Sequence, residues 1–100
     1  MAIRHIVTWK LAATDGAAKR EHATEIAARL EPLVDVIPGT RSLQVSENSA
    51  YHDVNWDVVL IGEYDDLAAL DAYQGHPEHQ AAAAFVRSVV SDRASIDFEI

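Results

Sequence analysis

The sequence Trp56-Asp57-Val58-Val59-Leu60-Ile61-Gly62-Glu63-Tyr64 decides the fold, because its middle is apolar at consecutive positions. Side chains of a β-strand alternate between two faces, so this strand is apolar on both. Trp56, Val58, Leu60 and Tyr64 share one face, and Val59 and Ile61 share the other. Two helical segments of a short chain can cover only one face of a sheet. We therefore expect a homodimer in which a second sheet covers the other face. The alternative is an outer face that tolerates two exposed aliphatic side chains.

Three further strands are predicted on either side of this stretch. Apolar residues alternate with polar ones over residues 3–11, 40–47 and 95–100, and a period of two is typical of strands. In the first strand His5 points the same way as Val7 and Trp9. A histidine on such a face is more often a satisfied core residue than a ligand.

Two helical segments are predicted between the strands. Apolar residues at three- and four-residue steps indicate a helix over residues 15–36, which Asp15 caps and Pro32 breaks near its end. A second helical segment follows residues 56–64 and is broken by a corner. Gly75, expected in a left-handed backbone conformation, ends its first helix, and Pro77 suits the first turn of the last helix. The order strand, helix, strand, strand, broken helix, strand predicts an α+β, ferredoxin-like β-α-β-β-α-β protomer with a four-stranded antiparallel sheet.

Length, charge and composition predict one globular domain over residues 1–100. The formal net charge of −8 disfavours nucleic acid and anionic lipid as partners. The absence of cysteine fits a reducing compartment. No long apolar segment is present, and the first ten residues alternate and carry charge, so we expect no membrane association and a cytoplasmic location.

The candidate chemistry lies in the corner between the two later helices, residues 71–80. His79 would occupy the first turn of the last helix, where the helix dipole disfavours imidazolium and so favours a neutral general base. Tyr73 could donate its phenolic hydrogen to a carbonyl oxygen and stabilise an enolate. Such a pair needs no metal and no cofactor. His76 is expected to cap the helix; with His79 it could supply two metal ligands, but two residues seldom make a metal site.

Five segments together resemble the stress-responsive α/β-barrel (Dabb) family. They are residues 3–11, Ile37-Pro38-Gly39, residues 56–60 leading to Glu63-Tyr64, Tyr73-x-x-His76-Pro77-x-His79, and Ile96-Asp97-Phe98. The resemblance spans nearly the whole chain. It implies a ferredoxin-like protomer whose sheet pairs with a second one in a dimeric α+β barrel.

The family includes a plant enzyme that closes a polyketide ring by aldol condensation with a tyrosine and a histidine from this corner. The resemblance assigns those roles to Tyr73 and His79, and matches His5 to the cavity histidine of the first strand. This chain departs from that cyclase at Val58, where the enzyme has another histidine, and at Ile26 and Ala27, which replace larger aromatic side chains. The match therefore supports a pocket with acid–base groups but not that substrate.

These observations leave three functions open. The first is a cofactor-independent cyclase- or isomerase-like enzyme acting on a small hydrophobic carbonyl compound, with Tyr73, His79 and His5 as its catalytic residues. The expected pocket walls are Val7, Trp9, Ile26, Leu30, Trp56, Val58 and Leu60. The second is a non-catalytic stress-protective or ligand-sequestering dimer. The third is a cofactor-independent monooxygenase, since such enzymes share the dimeric barrel.

Overall fold

The computed structural model describes residues 1–100 and has the predicted order of elements. The strands are β1 (Ile3–Leu11), β2 (Thr40–Glu47), β3 (Val58–Tyr64) and β4 (Val90–Glu99). The helices are α1 (Gly16–Leu30), α2 (Leu67–Gly75) and α3 (Pro77–Val89), and a short 3-10 helix (Glu31–Asp35) follows α1. The four strands form one antiparallel sheet in the order β2-β3-β1-β4. The predicted ferredoxin-like α+β fold is confirmed.

Three side chains start the three helices as their chemistry predicts. Asp15 and Asp66 accept hydrogen bonds from backbone N–H groups in the first turns of α1 and α2, at 2.7 and 2.8 Å. His76 Nδ1 accepts from the N–H of Glu78 at 3.1 Å and so caps α3, with Pro77 in its first turn. Each cap satisfies a backbone donor that a helix start leaves free.

The structure corrects three details of the sequence reading. The long helix predicted over residues 15–36 ends at Leu30, and Pro32 lies in the 3-10 helix that replaces its last turn. The last strand begins at Val90, five residues before the predicted start. Gly75 is not left-handed, since Gly39 is the glycine with a positive φ, of 84°. Instead α2 stops because His76 is extended before Pro77.

The two faces of the sheet differ in what covers them. Residues 3, 5, 7, 9 and 11 of β1 are buried under the helices, together with Leu60 and Tyr64 of β3. On the opposite face Ile6 pairs with Ile61 of β3 and with Ile96 of β4, so three isoleucines form one row across three strands. Ile96 is 61% exposed. No helix of the fold combines the length and the apolarity that crossing a bilayer requires.

Candidate functional site

A cavity of about 280 Å³ lies between the covered face of the sheet and helix α3. Both predicted histidines of the site, His5 from β1 and His79 from α3, are in its wall. Most of the rest of the wall is aliphatic. The lining residues are His5, Val7, Trp9, Leu30, Leu60, His79, Ala83, Val86, Arg87, Val90 and Arg93. The arrangement is an apolar chamber with imidazole and guanidinium groups and without a carboxylate in its wall.

His79 is held in a form suited to accept a proton. Its Nδ1–H donates to the carbonyl oxygen of Gln74 at 3.1 Å, because that oxygen can only accept. The other ring nitrogen, Nε2, then carries the free lone pair. Burial lowers the pKa of His79, and the nearby His5 imidazole and the guanidiniums of Arg87 and Arg93 lower it further, although the Gln74 carbonyl opposes the shift. A neutral imidazole is therefore favoured near pH 7.

His5 is fixed by a carboxylate of the neighbouring strand. The residue is 3% exposed, and its Nδ1–H donates to Asp97, which lies opposite it in the β1–β4 register. A carboxylate bound to one ring nitrogen sets the tautomer and the orientation of the imidazole. His5 and His79 thus both use Nδ1 for positioning and keep Nε2 for other partners.

Tyr64 and Tyr73 form an aromatic row between the two histidines. The ring centroids lie 4.4 Å apart for His79 and Tyr73, 5.0 Å for Tyr73 and Tyr64, and 6.1 Å for Tyr64 and His5. Both tyrosines are fully buried, and neither hydroxyl has a hydrogen-bond partner. Burial raises the pKa of Tyr73 to about 12 and that of Tyr64 still further. The two phenols influence each other's ionisation, but their geometry falls short of a hydrogen bond. Both therefore remain protonated donors near pH 7.

Gly62 makes room for this row. It lies opposite His5 in the β1–β3 register, and a Cβ at this position would lie 2.7 Å from the Tyr64 hydroxyl oxygen and 2.9 Å from ring atom Cε1. Real Cβ atoms do not approach other atoms so closely. The Tyr64 ring therefore folds back over the strand only because residue 62 has no side chain.

The structure brings most of the predicted site residues together. Besides the two histidines, four predicted wall residues line the cavity: Val7, Trp9, Leu30 and Leu60. Ile26 and Val58 are buried core residues that do not reach it. Tyr73 lies behind His79 and is not in the wall. Trp56 precedes β3 and lines a separate open depression with the outward-facing Thr8 and Val59.

Sequence reasoning missed four polar side chains at the site, and only one of the four left a usable signal. Strand register brings Asp97 and Arg93 to the site, and the missing side chain at Gly62 makes room for Tyr64. The sequence shows neither feature. Arg87, by contrast, follows His79 and Ala83 at steps of four along one helix, and such residues share a face. As for a metal, no three His, Cys, Asp or Glu side chains lie close enough together to hold one.

Comparison with known proteins identifies a family for nearly all of the chain. The model of the family described as Stress responsive A/B Barrel Domain (Dabb) matches residues 3–100. No curated protein matches the sequence.

Several solved structures share the fold. A dimeric protein of unknown function with a ferredoxin-like fold from Bacteroides fragilis is 28% identical, with a TM-score of 0.89 over 99% of this chain and 96% of that one. A dimeric ferredoxin-like protein from Thermobifida fusca is 25% identical, with a TM-score of 0.82 over 100% and 92%. The hydroxynitrile lyase of Passiflora edulis is 12% identical, with a TM-score of 0.79 over 99% and 93%, and is similar in fold alone.

Proposed function

We propose that this chain, which belongs to the stress-responsive A/B barrel domain family, binds a small hydrophobic carbonyl compound and catalyses cofactor-independent acid–base chemistry on it. The observation that carries the proposal is the meeting of His5 and His79 in the wall of one apolar cavity. Each has its Nδ1 engaged and its Nε2 available. Perturbed, positioned titratable groups in an apolar pocket are typical of active sites.

The size of the cavity limits the ligand. An apolar cavity of about 150 Å³ holds benzene, so about 280 Å³ holds one ring with a short substituent. The aliphatic wall favours hydrocarbon, whereas the imidazoles favour an oxygen or an acidic C–H bond at one end. A one-ring ketone or related carbonyl compound meets both requirements.

In the proposed reaction, Nε2 of His79 removes a proton from the carbon next to the carbonyl group. The electron pair of the broken C–H bond forms a carbon–carbon double bond, and the π pair of the carbonyl group moves onto its oxygen, which gives an enolate. A phenolic hydrogen from Tyr73 stabilises that oxygen, which gives the buried hydroxyl the partner it lacks. The imidazolium then returns the proton to the same or another carbon, or the enolate carbon attacks a second carbonyl. The reaction class is therefore isomerase- or cyclase-like.

Deuterium exchange tests the role of His79. Phenylacetone in D₂O, followed by NMR, should exchange its α-hydrogens in the presence of the wild-type protein. His79→Gln keeps a side-chain donor for the Gln74 carbonyl but cannot act as a base, so the rate should fall about 100-fold or more. His52→Gln, in an exposed loop, is the matched control and should exchange at the wild-type rate. Equal rates in the wild type and His79→Gln would end the proposal.

Tyr73→Phe separates a catalytic phenol from a structural one. The substitution removes a buried hydroxyl that has no partner, so the free energy of unfolding should rise by about 1 kcal/mol. The exchange rate should nevertheless fall about 100-fold, because the enolate loses its donor. Tyr64→Phe is the control, with a similar gain in stability and little loss of rate. A stabilised Tyr73→Phe protein with full activity would restrict Tyr73 to packing.

One observation favours the non-catalytic alternative, in which the protein sequesters its ligand. Tyr73 is fully buried and does not line the cavity, so its hydroxyl can contact a ligand only if the ring of His79 moves aside. Binding of phenylacetone by the wild type, seen as NMR shift changes, without α-exchange would select this alternative over the enzyme.

We also propose that the protein is a homodimer formed through the outer face of its sheet. The support is the row Ile61–Ile6–Ile96, with Phe98 beside it 39% exposed, and the dimeric similar structures from two bacteria. Such a face is self-complementary about a twofold axis. Sedimentation equilibrium should give twice the chain mass, and a monomer at 50 µM would refute it.

Residues 1–100 are proposed to act as one domain in the cytoplasm. The family match covers nearly all of them, and the cysteine-free composition fits a reducing compartment. Fluorescent tagging of the chain in its own cell is the direct check.

A further inference from the structure

We infer that the ligand of this cavity carries a carboxylate, which Arg87 and Arg93 hold at the end away from the His5–Asp97 pair. The inference rests on the proposed function in one respect, that the cavity is the binding site. It adds the chemical class of the ligand and two binding residues that neither the family match nor the similar structures assign.

The first observation is how the basic residues are used. The chain has 8 lysines and arginines against 16 acidic residues. Four of the basic side chains pair with carboxylates: Arg4, Lys19, Arg29 and Arg41. A fifth, Lys10, lies over the ring of Trp56. This leaves three, Arg20, Arg87 and Arg93, and two of those three line one cavity. Both residues are exposed, so water solvates their guanidiniums in the free protein. In a chain with such an excess of carboxylates, two guanidiniums without a carboxylate partner in one wall point to an anion supplied from outside.

The second observation is the absence of acidic side chains from the same wall. None of the eleven lining residues is Asp or Glu. Asp97 is near, but its carboxylate is engaged by His5. The guanidinium of Arg93 makes one hydrogen bond, from Nη1 to the hydroxyl of Ser95 at 3.2 Å, which leaves most of its donors free. The local field therefore favours an anion although the protein as a whole repels one.

The two arginines also lie at one end of the cavity. His79, Ala83 and Arg87 follow each other at steps of four on α3, so Arg87 is about 12 Å along the helix from His79. On β4, Arg93 lies opposite Trp9, and Asp97 lies opposite His5. These two positions are about 14 Å apart along the strand. Arg87 on α3 and Arg93 on β4 thus lie at one end of the cavity, and His79 and His5 lie at the other. The arginine side chains are long enough to reach from their end toward a bound ligand.

A carboxylate fits this end better than a phosphate. A planar guanidinium matches a carboxylate in a two-bond fork. Arg87 lies in the last turn of α3, where the helix dipole is negative and works against a dianion. The remaining wall is aliphatic and the volume admits about one ring. The ligand class is therefore a one-ring aromatic or branched acid with a carbonyl or acidic C–H group at the imidazole end.

Calorimetric titration of the full chain with phenylacetate, with phenylpyruvate and with the neutral phenylacetamide tests the inference. Both acids should bind more tightly than the amide. Arg87→Gln and Arg93→Gln should each raise the acid Kd about tenfold or more, and leave the amide Kd unchanged. Arg20→Gln, which removes the third unpaired guanidinium, is the control for net charge and should bind both acids as the wild type does. Phenyl phosphate, as a further probe, should bind more weakly than phenylacetate.

The outcomes separate this inference from the proposed function. If acid and amide bind equally in every variant, or if Arg20→Gln matches the loss, the carboxylate assignment is wrong while the cavity remains a binding site. Tighter binding of phenyl phosphate would also overturn it. If the two arginine substitutions instead weaken self-association and leave acid binding unchanged, the arginines serve the subunit interface. Loss of α-exchange in His79→Gln with undiminished acid binding would support both, since His79 acts on the proton and the arginines on the anion.

Discussion

Both faces of the sheet contain apolar side chains, but the faces differ in what surrounds those side chains. On the covered face, histidine, tyrosine and arginine side chains lie among aliphatic ones, and two buried phenol hydroxyls have no partner. On the outer face, the centre is a simple aliphatic row, Ile61–Ile6–Ile96, which still contacts solvent. Burial of polar groups costs free energy unless they are satisfied, whereas exposure of an aliphatic row costs free energy until it is covered.

The difference indicates that the two faces serve separate purposes. A fold with no ligand to bind would be more stable with phenylalanine in place of Tyr64 and Tyr73. The two unsatisfied phenols therefore support the proposed chemistry on the covered face. If the outer face forms the proposed dimer interface, changes there should alter assembly and leave the proposed chemistry of each protomer intact.

The largest expected effect comes from a charge in the aliphatic row. Ile61→Lys would bury an unpaired ammonium in each half of a twofold interface, so the dissociation constant of the dimer should rise roughly a thousandfold or more. In the isolated protomer the lysine side chain can reach water, so the far-UV circular dichroism should be unchanged. Sedimentation velocity measures the change.

Leu67→Lys is the matched control for Ile61→Lys. Leu67 is 59% exposed at the start of α2, on the other side of the sheet, and its substitution should leave the dimer intact. If Ile61→Lys remains dimeric, or Leu67→Lys dissociates equally, the interface is not the outer face and the contrast between the two faces has to be redrawn.

An effect of intermediate size is expected at Gly62, where the covered face is packed most tightly. Gly62→Ala places a methyl group against the fully buried Tyr64 ring and should lower the free energy of unfolding by about 1–3 kcal/mol. Tyr64→Phe removes the closest atom, so the double variant should recover part of the loss. Gly75→Ala has open space around it and should gain about 0.5–1 kcal/mol instead. Urea unfolding of the wild type, the Gly62→Ala and Tyr64→Phe variants and the double variant measures the coupling.

Strict additivity of Gly62→Ala and Tyr64→Phe would show that the ring does not depend on the gap at residue 62. In that case the aromatic row from His5 to His79 is held by other contacts, and the covered face is less constrained than its geometry indicates.

The sequence predicted the strands and helix caps that build the covered face better than it predicted the side chains that meet at the candidate site. Alternation at Ile3–Leu11 and the caps Asp15 and His76 are local signals, and the structure confirms them. The bond between His5 and Asp97 joins residues 92 positions apart and depends on the register of two strands. No local pattern encodes that register, and predicting β4 from residue 95 left Arg93 outside the strand that carries it to the cavity.

Trp56 shows the opposite limit, in which a local pattern extends too far. Alternation assigned it to the face of Val58 and Leu60, yet β3 begins only at Val58. The reason is Asp57, whose carboxylate accepts from the N–H of Leu11 at 2.8 Å and from Lys19 at 3.2 Å. These bonds hold residue 57 at the end of β1, one residue before β3 starts. They join residues far apart in the sequence, so a local pattern does not reveal them.

The smallest expected effect is a pH dependence that belongs to the covered face alone. Burial, with the positive charges around the cavity, lowers the pKa of His79 in the folded protein below the ordinary value of 6.5. As pH falls below about 6.5, the unfolded chain binds this proton before the folded one does, so the free energy of unfolding decreases. One proton limits the slope to about 1.4 kcal/mol per pH unit.

Many other groups titrate in the same range, so the measurement has to be a difference. Urea unfolding of the wild type and of His79→Gln between pH 5 and 8 cancels the contributions that both proteins share. The stability of His79→Gln relative to the wild type should improve as pH falls, because glutamine has no proton to bind. The same comparison made with Ile61→Lys present in both proteins should give the same pH dependence. A relative stability that stays flat would mean that folding does not lower the pKa of His79, and one that falls toward pH 5 would mean that the folded protein stabilises the charged imidazole. In that second case His79 could not accept a proton from a ligand, and the covered face would hold its histidines for anion binding alone.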